Sequence, residues 1–486
     1  MRGHGYTPGV TALASPEALL SALRRIVGED RLIADRAALG AYAGDSLRGP
    51  RGGNGRPSVL PVAAVLPLST EEVAAVVRAA GQAGTPIVEL GGGTGLMGGA
   101  RSLLPGIVLD LRSMNRVIEI RARDQAVSVQ AGAVLEDVGN AIEPYGLIVG
   151  HDPWTYPIAT VGGTISTNGL GYLGGKYGSM GDQVLGLTVV LAGGEVLRTR
   201  AVPKSSTGPG LKHLFIGAEG TMGVITEAVL RVFPSPEKRL LRGYTFPGFD
   251  EGYRAIEALI AAGIQPAMVD YGQTYRGSRQ SRALVTPADA PGLLFLAFDG
   301  LNEEVAALDR RSRQILLEKG GRRLPPSRAQ EFWDERHVIA EQIRARRQSG
   351  GQEERGHALP ASLFDYIHVA LPPSAVLPFK TRCERLFTGR GISIAEWGLW
   401  HRPELFSVAL FRYAETQADV DAFGAAVEDA LRLVQDMGGS MEYVHGVGTR
   451  LAGLMGREHG YGLQALRALK QVVDPAGLLN PGKLAL

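Results

Sequence analysis

The stretch PIVELGGGTGLMGGA, Pro86 to Ala100, places six glycines directly behind a short apolar run. Backbone with so few side chains has one chemical resource, its N–H groups, and several of them converging make an anion-binding concavity. The loop holds no lysine and ends in neither Lys-Ser nor Lys-Thr, which excludes a nucleoside-triphosphate loop. Gly93-Thr-Gly95-Leu-Met-Gly98 spells GxGxxG, but a dinucleotide fingerprint of that kind must open a helix. Here the next element reads as a strand, Gly106 to Arg112, with no helix between. Two readings remain, a pyrophosphate held by bare loop amides, which is favoured, and a merely structural turn. A second dense segment runs from His151 through Thr160, Gly162, Gly163, Ser166, Thr167 and Asn168 to Gly171 and Tyr172. Its glycines permit close approach, and its hydroxyls and amide are neutral partners suited to a large uncharged heterocycle. A third cluster, Gly217, Gly220 and Gly223, leads into a further strand.

Two kinds of scaffold must position these loops. Val62 to Leu66 reads as a strand, and Ser69 with Glu72 has capping-box spacing for a helix that puts Val73, Val76, Val77 and Ala80 on one face. Gly84 stops that helix and Ile87 to Leu90 is the next strand, so a βαβ unit feeds the first glycine loop. Val184 to Leu191 and Glu195 to Thr199 read as a hairpin around Gly193-Gly194. After Pro234-Ser-Pro236 strand-like and helix-like segments alternate, which predicts an α+β domain with helices on one face of an antiparallel sheet. A long helix follows Thr416, with Val420, Phe423, Val427, Leu431 and Val434 on one stripe and Gly438-Gly439 at its end.

The totals narrow the partner. Lys+Arg 51 against Asp+Glu 49 gives a formal charge of +2, too weak a field for nucleic acid or an anionic membrane, so a small molecule is expected. The 66 glycines are about twice the usual share. The one cysteine, Cys383, excludes an intrachain disulfide framework and any Cys-rich metal site, and reads as a buried small apolar residue. MRGHGYTPGVTALASPEALL has no apolar signal core and no membrane-length apolar run follows, so the expected location is cytoplasmic.

PIVELGGGTGLMGGA, HDPWTYPIATVGGTISTNGLGY, KYGSMGDQVLGLTVVLAGGEVLRT, LFIGAEGTMGVITEAVLRV and the terminal VVDPAGLLNPGKLAL together resemble the flavin oxidoreductases of the vanillyl-alcohol oxidase / p-cresol methylhydroxylase superfamily. The similarity is greatest to the branch of D-lactate dehydrogenases, the glycolate oxidase D-subunit, D-2-hydroxyglutarate dehydrogenase and alkyl-dihydroxyacetonephosphate synthase. The resemblance implies an α+β chain: a two-subdomain FAD-binding domain over residues 1–235, an α+β cap with an antiparallel sheet over 236–437, and a C-terminal segment, 438–486, returning to the FAD domain. It implies FAD with its pyrophosphate on Gly91, Gly92, Gly93, Thr94, Gly95 and Leu96, behind Glu89. The flavin ring and ribityl chain would lie along Asp152, Pro153, Thr160, Gly162, Gly163, Thr167 and Asn168. Gly220, Val224 and Ile225 would meet the adenine or pyrimidine end, Asn480 and Lys483 would close over the flavin, and Arg101 stands ready to assist at the pyrophosphate.

A flavin accepts hydride at N5 from a C–H bond, so the protein must align that carbon and handle the hydroxyl proton. His445 stands where the branch carries the last histidine of its Glu-His-Gly or triple-His stretch, and is expected as base or as hydrogen-bond partner of the substrate, with Tyr443 beside it. Metal-using relatives add two histidines and a glutamate; the resemblance puts Leu399, Phe406 and Val444 in those places, so no metal is expected, with His401 and Glu404 as remaining ligand types. Without a metal, an arginine is needed to grip a carboxylate, and Arg355, Arg402, Arg412 and Arg450 are the candidates. Trp397, Trp400, Phe406, Phe411 and Tyr413 belong either to the core or to the wall of an apolar pocket. The glycine loop holds no histidine, so FAD is expected to be noncovalent, with His151 and His401 as the residual attachment points. The expected activity is hydride transfer from a CH–OH group, with a D-2-hydroxy acid as donor. Alternatives are an aromatic or bulky alcohol or phenol, redox-neutral chemistry of the alkyl-dihydroxyacetonephosphate synthase kind, and an electron-transfer subunit of a complex. A homodimer and a redox partner stay open.

Overall fold

The computed structural model describes residues 16–47, 58–274, 291–349 and 362–486; the start of the chain and Arg355 lie outside the described residues. The strand Ala63–Val65 leads into the helix Thr70–Gln82, whose N-cap Ser69 accepts the Glu72 N–H at 3.2 Å. Only half of the capping box forms. The Glu72 carboxylate turns instead to the Leu68 N–H at 2.8 Å and to Arg31 at 2.6 Å, a stronger charged partner. The helix buries Val73, Val76, Val77 and Ala80, the stripe its spacing predicts. Ala63–Val65 and Ile87–Leu90 both pair parallel to Ile107–Asp110, and Leu32–Ile33 adds an antiparallel edge. Between Leu90 and Ile107 the glycine loop contains no helix.

A second sheet is antiparallel, in the order Val117–Arg121, Ala126–Gln130, Val224–Arg231, Val184–Val190, Val196–Arg198. The short helix Val161–Thr167 carries the second glycine segment, and its Val161 and Ile165 are buried in the core that both sheets share. The buried Thr70 hydroxyl donates to that of Thr226 at 2.9 Å and joins the two layers.

The third sheet, among the described residues, has seven antiparallel strands in the order Arg322–Arg323, Lys238–Phe246, Gly292–Gly300, Met268–Thr274, Ser393–Trp400, Leu405–Tyr413, Ser362–Ala370. Alternation sorts its side chains. Trp397, Leu399, Phe406, Val408 and Leu410 are buried on the face covered by the helices Phe249–Ala261, Pro373–Thr388 and Gln417–Asp436. The expectation of helices on one face only needs correcting. Pro326–Glu335 packs against the other face, where Ala329, Phe332 and Trp333 meet Phe295, Ala297 and Tyr172. The surplus aromatic residues on both sides of that helix are what a one-face reading misses.

The chain end runs back to the first sheet. Ile87 N–H donates to Leu478 O at 2.8 Å and Asn480 N–H to Ile87 O at 2.7 Å, while the Thr449 and Arg450 N–H groups both donate to Met97 O, at 2.9 and 3.1 Å. The Arg450 guanidinium pairs with Asp365 on the cap, both side chains being 3% exposed. Arg450→Met alone would leave the Asp365 carboxylate buried and unpaired, at a cost of about 3–5 kcal/mol. Urea unfolding is expected to register that loss, and the double variant with Asp365→Leu is expected to recover most of it.

Candidate functional site

The two main glycine segments lie against each other. A Cβ on Gly91 would sit 2.4 Å from Thr160 Oγ1, and one on Gly92 would sit 2.4 Å from Ile158 O. The Gly92 N–H donates to Thr160 Oγ1 at 3.2 Å. Gly93 and Gly98 have φ of +64° and +79°, conformations that side chains rarely adopt. Thr94, Gly95 and Leu96 continue the loop as half-buried residues, and Gly95 packs on Asp45. Gly162 is held on Ala131, and Gly163 lies behind Thr160.

Other residues of the sequence reading have partners of their own. Asn168, at φ +50°, ends its helix and accepts the Gly181 N–H at 2.9 Å, and Thr167 bonds back to Gly163 O at 3.3 Å. Asp152 is gripped by Arg336 at 3.0 Å and His337 at 2.7 Å; burial opposes its charge, but the His337 bond and Arg336 outweigh it and hold its pKa below the usual range. Pro153 accepts the Tyr156 N–H, and the strand residues Val224 and Ile225 pair with Val190 and Val189. Gly220 lies against Glu89, whose two carboxylate oxygens are buried without a hydrogen-bond partner; burial raises its pKa to about 8. The Asn480 amide donates to Gly99 O and Glu219 O, leaving its own oxygen unpaired. Lys483 donates to Arg101 O at 2.5 Å, and burial lowers its pKa to about 8. Arg101 itself reaches Leu47 O at 3.1 Å.

His445 and Tyr443 are brought together with residues that no motif announced. His368 Nδ1 contacts Ser407 Oγ at 2.7 Å and Tyr443 OH at 3.4 Å, and Ser407 Oγ contacts Tyr443 OH at 3.0 Å. The His368 and His445 ring centroids are 4.6 Å apart, and the Tyr366 ring lies 4.3 Å from that of His368, its hydroxyl donating to Glu396 at 2.8 Å. Burial pushes the His445 pKa down to about 4, with Arg450 adding to the effect, and lowers that of His368 as well, so both imidazoles are neutral near pH 7. Glu442 supports the turn beneath: one carboxylate oxygen accepts the N–H groups of Tyr443, Val444 and His445 at 3.0, 2.8 and 3.0 Å, and burial raises its pKa to about 7. Glu219 ties the next residues down through the Val447 N–H at 2.6 Å and the Gly448 N–H at 2.9 Å.

His401 and Arg402 are placed elsewhere. His401, at φ +60° on the turn after Trp400, is buried against Gly174 with both ring nitrogens unpaired, and Arg402 forms an exposed ion pair with Glu404 at 3.2 Å. Arg412 pairs with Asp419 at 2.7 Å. The aromatic residues divide. Trp397 stacks on Phe406 in the core, Trp400 stacks on Tyr172 at 5.5 Å on the other face, and Tyr413 is 75% exposed. Leu399 and Phe406 are also core residues, paired across the strands. Trp400 and Ser407, one residue further along each strand, lie instead by His368. Among the described residues, no group of three or more His, Cys, Asp or Glu is arranged to hold a metal ion. Cys383 is buried, and among the described residues no helix is long and apolar enough to cross a membrane.

Residues 61–200 match the FAD binding domain, and residues 235–484 match the C-terminal domain of FAD linked oxidases. The chain belongs to this family of FAD-linked oxidoreductases. It is 29% identical over 432 residues to glycolate oxidase subunit GlcD of Bacillus subtilis, covering 87% of this chain and 89% of the relative. It is 31% identical over 456 residues to D-2-hydroxyglutarate dehydrogenase of Xanthomonas citri pv. viticola, covering 87% of this chain and 89% of the relative. In fold it is similar to p-cresol methylhydroxylase with substrate bound, at a TM-score of 0.75 and 18% identity over 99% of this chain and 98% of that one. FAD is thus the cofactor, and the glycine cradle fits it. Side chains at Gly91 and Gly92 would collide with Thr160 and Ile158 and force the loop away from the second segment, and the unpaired Asn480 oxygen borders the same loop.

Proposed function

We propose that this chain oxidises the CH–OH group of a small 2-hydroxy acid, holding FAD noncovalently between the Gly91 to Leu96 loop and the Asp152 to Asn168 segment. When bound, the flavin supplies the hydride acceptor. The protein supplies alignment, exclusion of water and proton handling. His445 is neutral at physiological pH and presents Nε2 to the substrate hydroxyl, whose proton it takes or guides. The observation carrying this reading is the pair of neutral imidazoles, His368 and His445, with Tyr443 against them. The relatives named for glycolate and D-2-hydroxyglutarate support a 2-hydroxy acid as donor.

A second reading, an aromatic alcohol, is favoured by a specific set of contacts. Arg402, Arg412 and Arg450 each already face a carboxylate, while Tyr366 and Trp400 flank His368. Anaerobic mixing of the yellow holoprotein with D-2-hydroxy acids, their L-enantiomers and benzylic alcohols separates the two. Bleaching by D-2-hydroxy acids alone is the expected outcome; bleaching by benzylic alcohols alone selects the second reading, and none at all removes both.

A further inference from the structure

His368 lies in the strand Ser362–Ala370, in a segment whose sequence carries no motif. It is 3% exposed. Four rings surround it: Tyr366 at 4.3 Å, His445 at 4.6 Å, Tyr443 at 5.5 Å and Trp400 at 6.1 Å between centroids. Among the described residues its polar contacts are made by one nitrogen, Nδ1, which meets Ser407 Oγ at 2.7 Å and Tyr443 OH at 3.4 Å. Nε2 has no hydrogen-bond partner among the described residues, and it is not one of the atoms sealed from solvent. His445 differs. Its Nδ1 is sealed without a hydrogen bond, 3.8 Å from the Glu442 carboxylate, so nothing comparable fixes its tautomer.

We propose that His368 is the catalytic base of the reaction described above, oriented by Ser407 and Tyr443, while His445 guides the same hydroxyl by a hydrogen bond. Nδ1–H donates to Ser407 Oγ, and the Ser407 hydroxyl donates to the Tyr443 phenol oxygen at 3.0 Å. That direction leaves a lone pair on Nε2, the atom free to face a ligand. A base held in register by a third group is the arrangement that nucleophile and proton-transfer sites share. In the step, the substrate O–H bond breaks and its proton passes to Nε2. The O–H electron pair becomes the second carbonyl bond as the C–H pair leaves as hydride to the flavin oxidant.

The groups facing the ring agree with a neutral base. Burial lowers the His368 pKa, and His445 and the Arg450 guanidinium push in the same direction. Asp365 neutralises Arg450, Tyr366 is tied to Glu396, Glu442 lies under His445, and Asp270 stands one strand beyond Trp400 with its carboxyl pKa raised to about 8 by burial. Both phenols, Tyr366 and Tyr443, have raised pKa values through burial and stay protonated.

The inference rests on the proposed alcohol oxidation, so the wild-type holoprotein is first taken through the donor panel. If no donor bleaches it, that reading fails whatever His368 does. With a donor in hand, His368→Ala is expected to keep its FAD and to be reduced about 100-fold more slowly, within the usual range for general base catalysis. Added imidazole is expected to restore part of the rate, increasingly as pH rises through the pKa of free imidazole. Ser407→Ala, which removes only the orienting hydroxyl, is expected to slow reduction about tenfold with little change in donor affinity. Independently of turnover, ¹⁵N-histidine spectra of the flavin-free protein, assigned with His368→Gln, are expected to show Nε2 of His368 unprotonated above pH 6. Reduction of His368→Ala within threefold of wild type overturns the proposal, as does a protonated Nε2. Should His368→Ala fail to fold, the Ser407→Ala rate and the nitrogen spectrum decide it.

Discussion

Gly92→Val is expected to produce a folded protein that holds FAD about 10- to 100-fold more weakly. The added Cβ would meet Ile158 O at 2.4 Å and Ala159 Cα at 3.4 Å, and the obstructing atoms are backbone, which cannot rotate away. The strain is relieved only by moving the loop off the Ile158 to Thr160 segment, which also breaks the Gly92 N–H bond to Thr160 Oγ1. Overpacking of this kind costs about 1–3 kcal/mol, and each 1.4 kcal/mol assigned to the bound state weakens affinity about tenfold. Titration of the flavin-free protein by FAD fluorescence is expected to show a loss of about 10- to 100-fold. Gly453→Ala is the control, because a Cβ there meets nothing within 4 Å, and its affinity is expected to match wild type.

His445→Ala is expected to leave FAD in place and slow reduction by donor about 100-fold, the loss expected when one preorganised hydrogen bond to the reacting group is removed. Stopped-flow bleaching measures it. The pH dependence carries a second, more specific expectation. An imidazole must be neutral to accept a proton or a hydroxyl hydrogen bond, and it loses that capacity only when pH falls below its own pKa. Burial has moved the His445 value from 6.5 to about 4, so the rate of flavin reduction is expected to stay level from pH 7 through 6.5 and to fall only near pH 4. A decline centred on 6.5 would mean that the ring is solvated when it acts.

The first sheet, its helix and the glycine loop were legible because their signals are local. Ser69, the Val73 to Ala80 stripe and Gly84 fix the helix, and the missing helix after Gly98 separates this loop from a dinucleotide fingerprint. The strands Met268–Thr274 and Ser393–Trp400 were not legible. Buried on one face by helices and on the other by Tyr172 or polar site residues, they lack a clean period. His368 was hidden for a related reason. Its partners Ser407, Tyr443 and His445 lie 39 to 77 positions away and meet it only through the Ser362–Ala370 to Leu405–Tyr413 pairing and the returning 438–450 turn. Arg336, His337 and Arg347 were missed for the same cause. Arg336 and His337, in the turn between the helices Pro326–Glu335 and Val338–Gln348, hold Asp152, and Arg347 on the second helix donates to Gly92 O at 2.8 Å, contacts that no local periodicity records. Leu399 and Phe406, the places the resemblance gave to metal histidines, are paired core residues, while their neighbours Trp400 and Ser407 lie by His368, a division between faces that only the strand pairing reveals.

The most direct test of the account is anaerobic flavin bleaching with a donor that carries deuterium on its carbinol carbon, compared with the same donor unlabelled. Breaking that C–H bond at the flavin predicts severalfold slower bleaching by the labelled donor and one carbonyl product per flavin bleached. Equal rates with both donors, or bleaching without a carbonyl product, would contradict it.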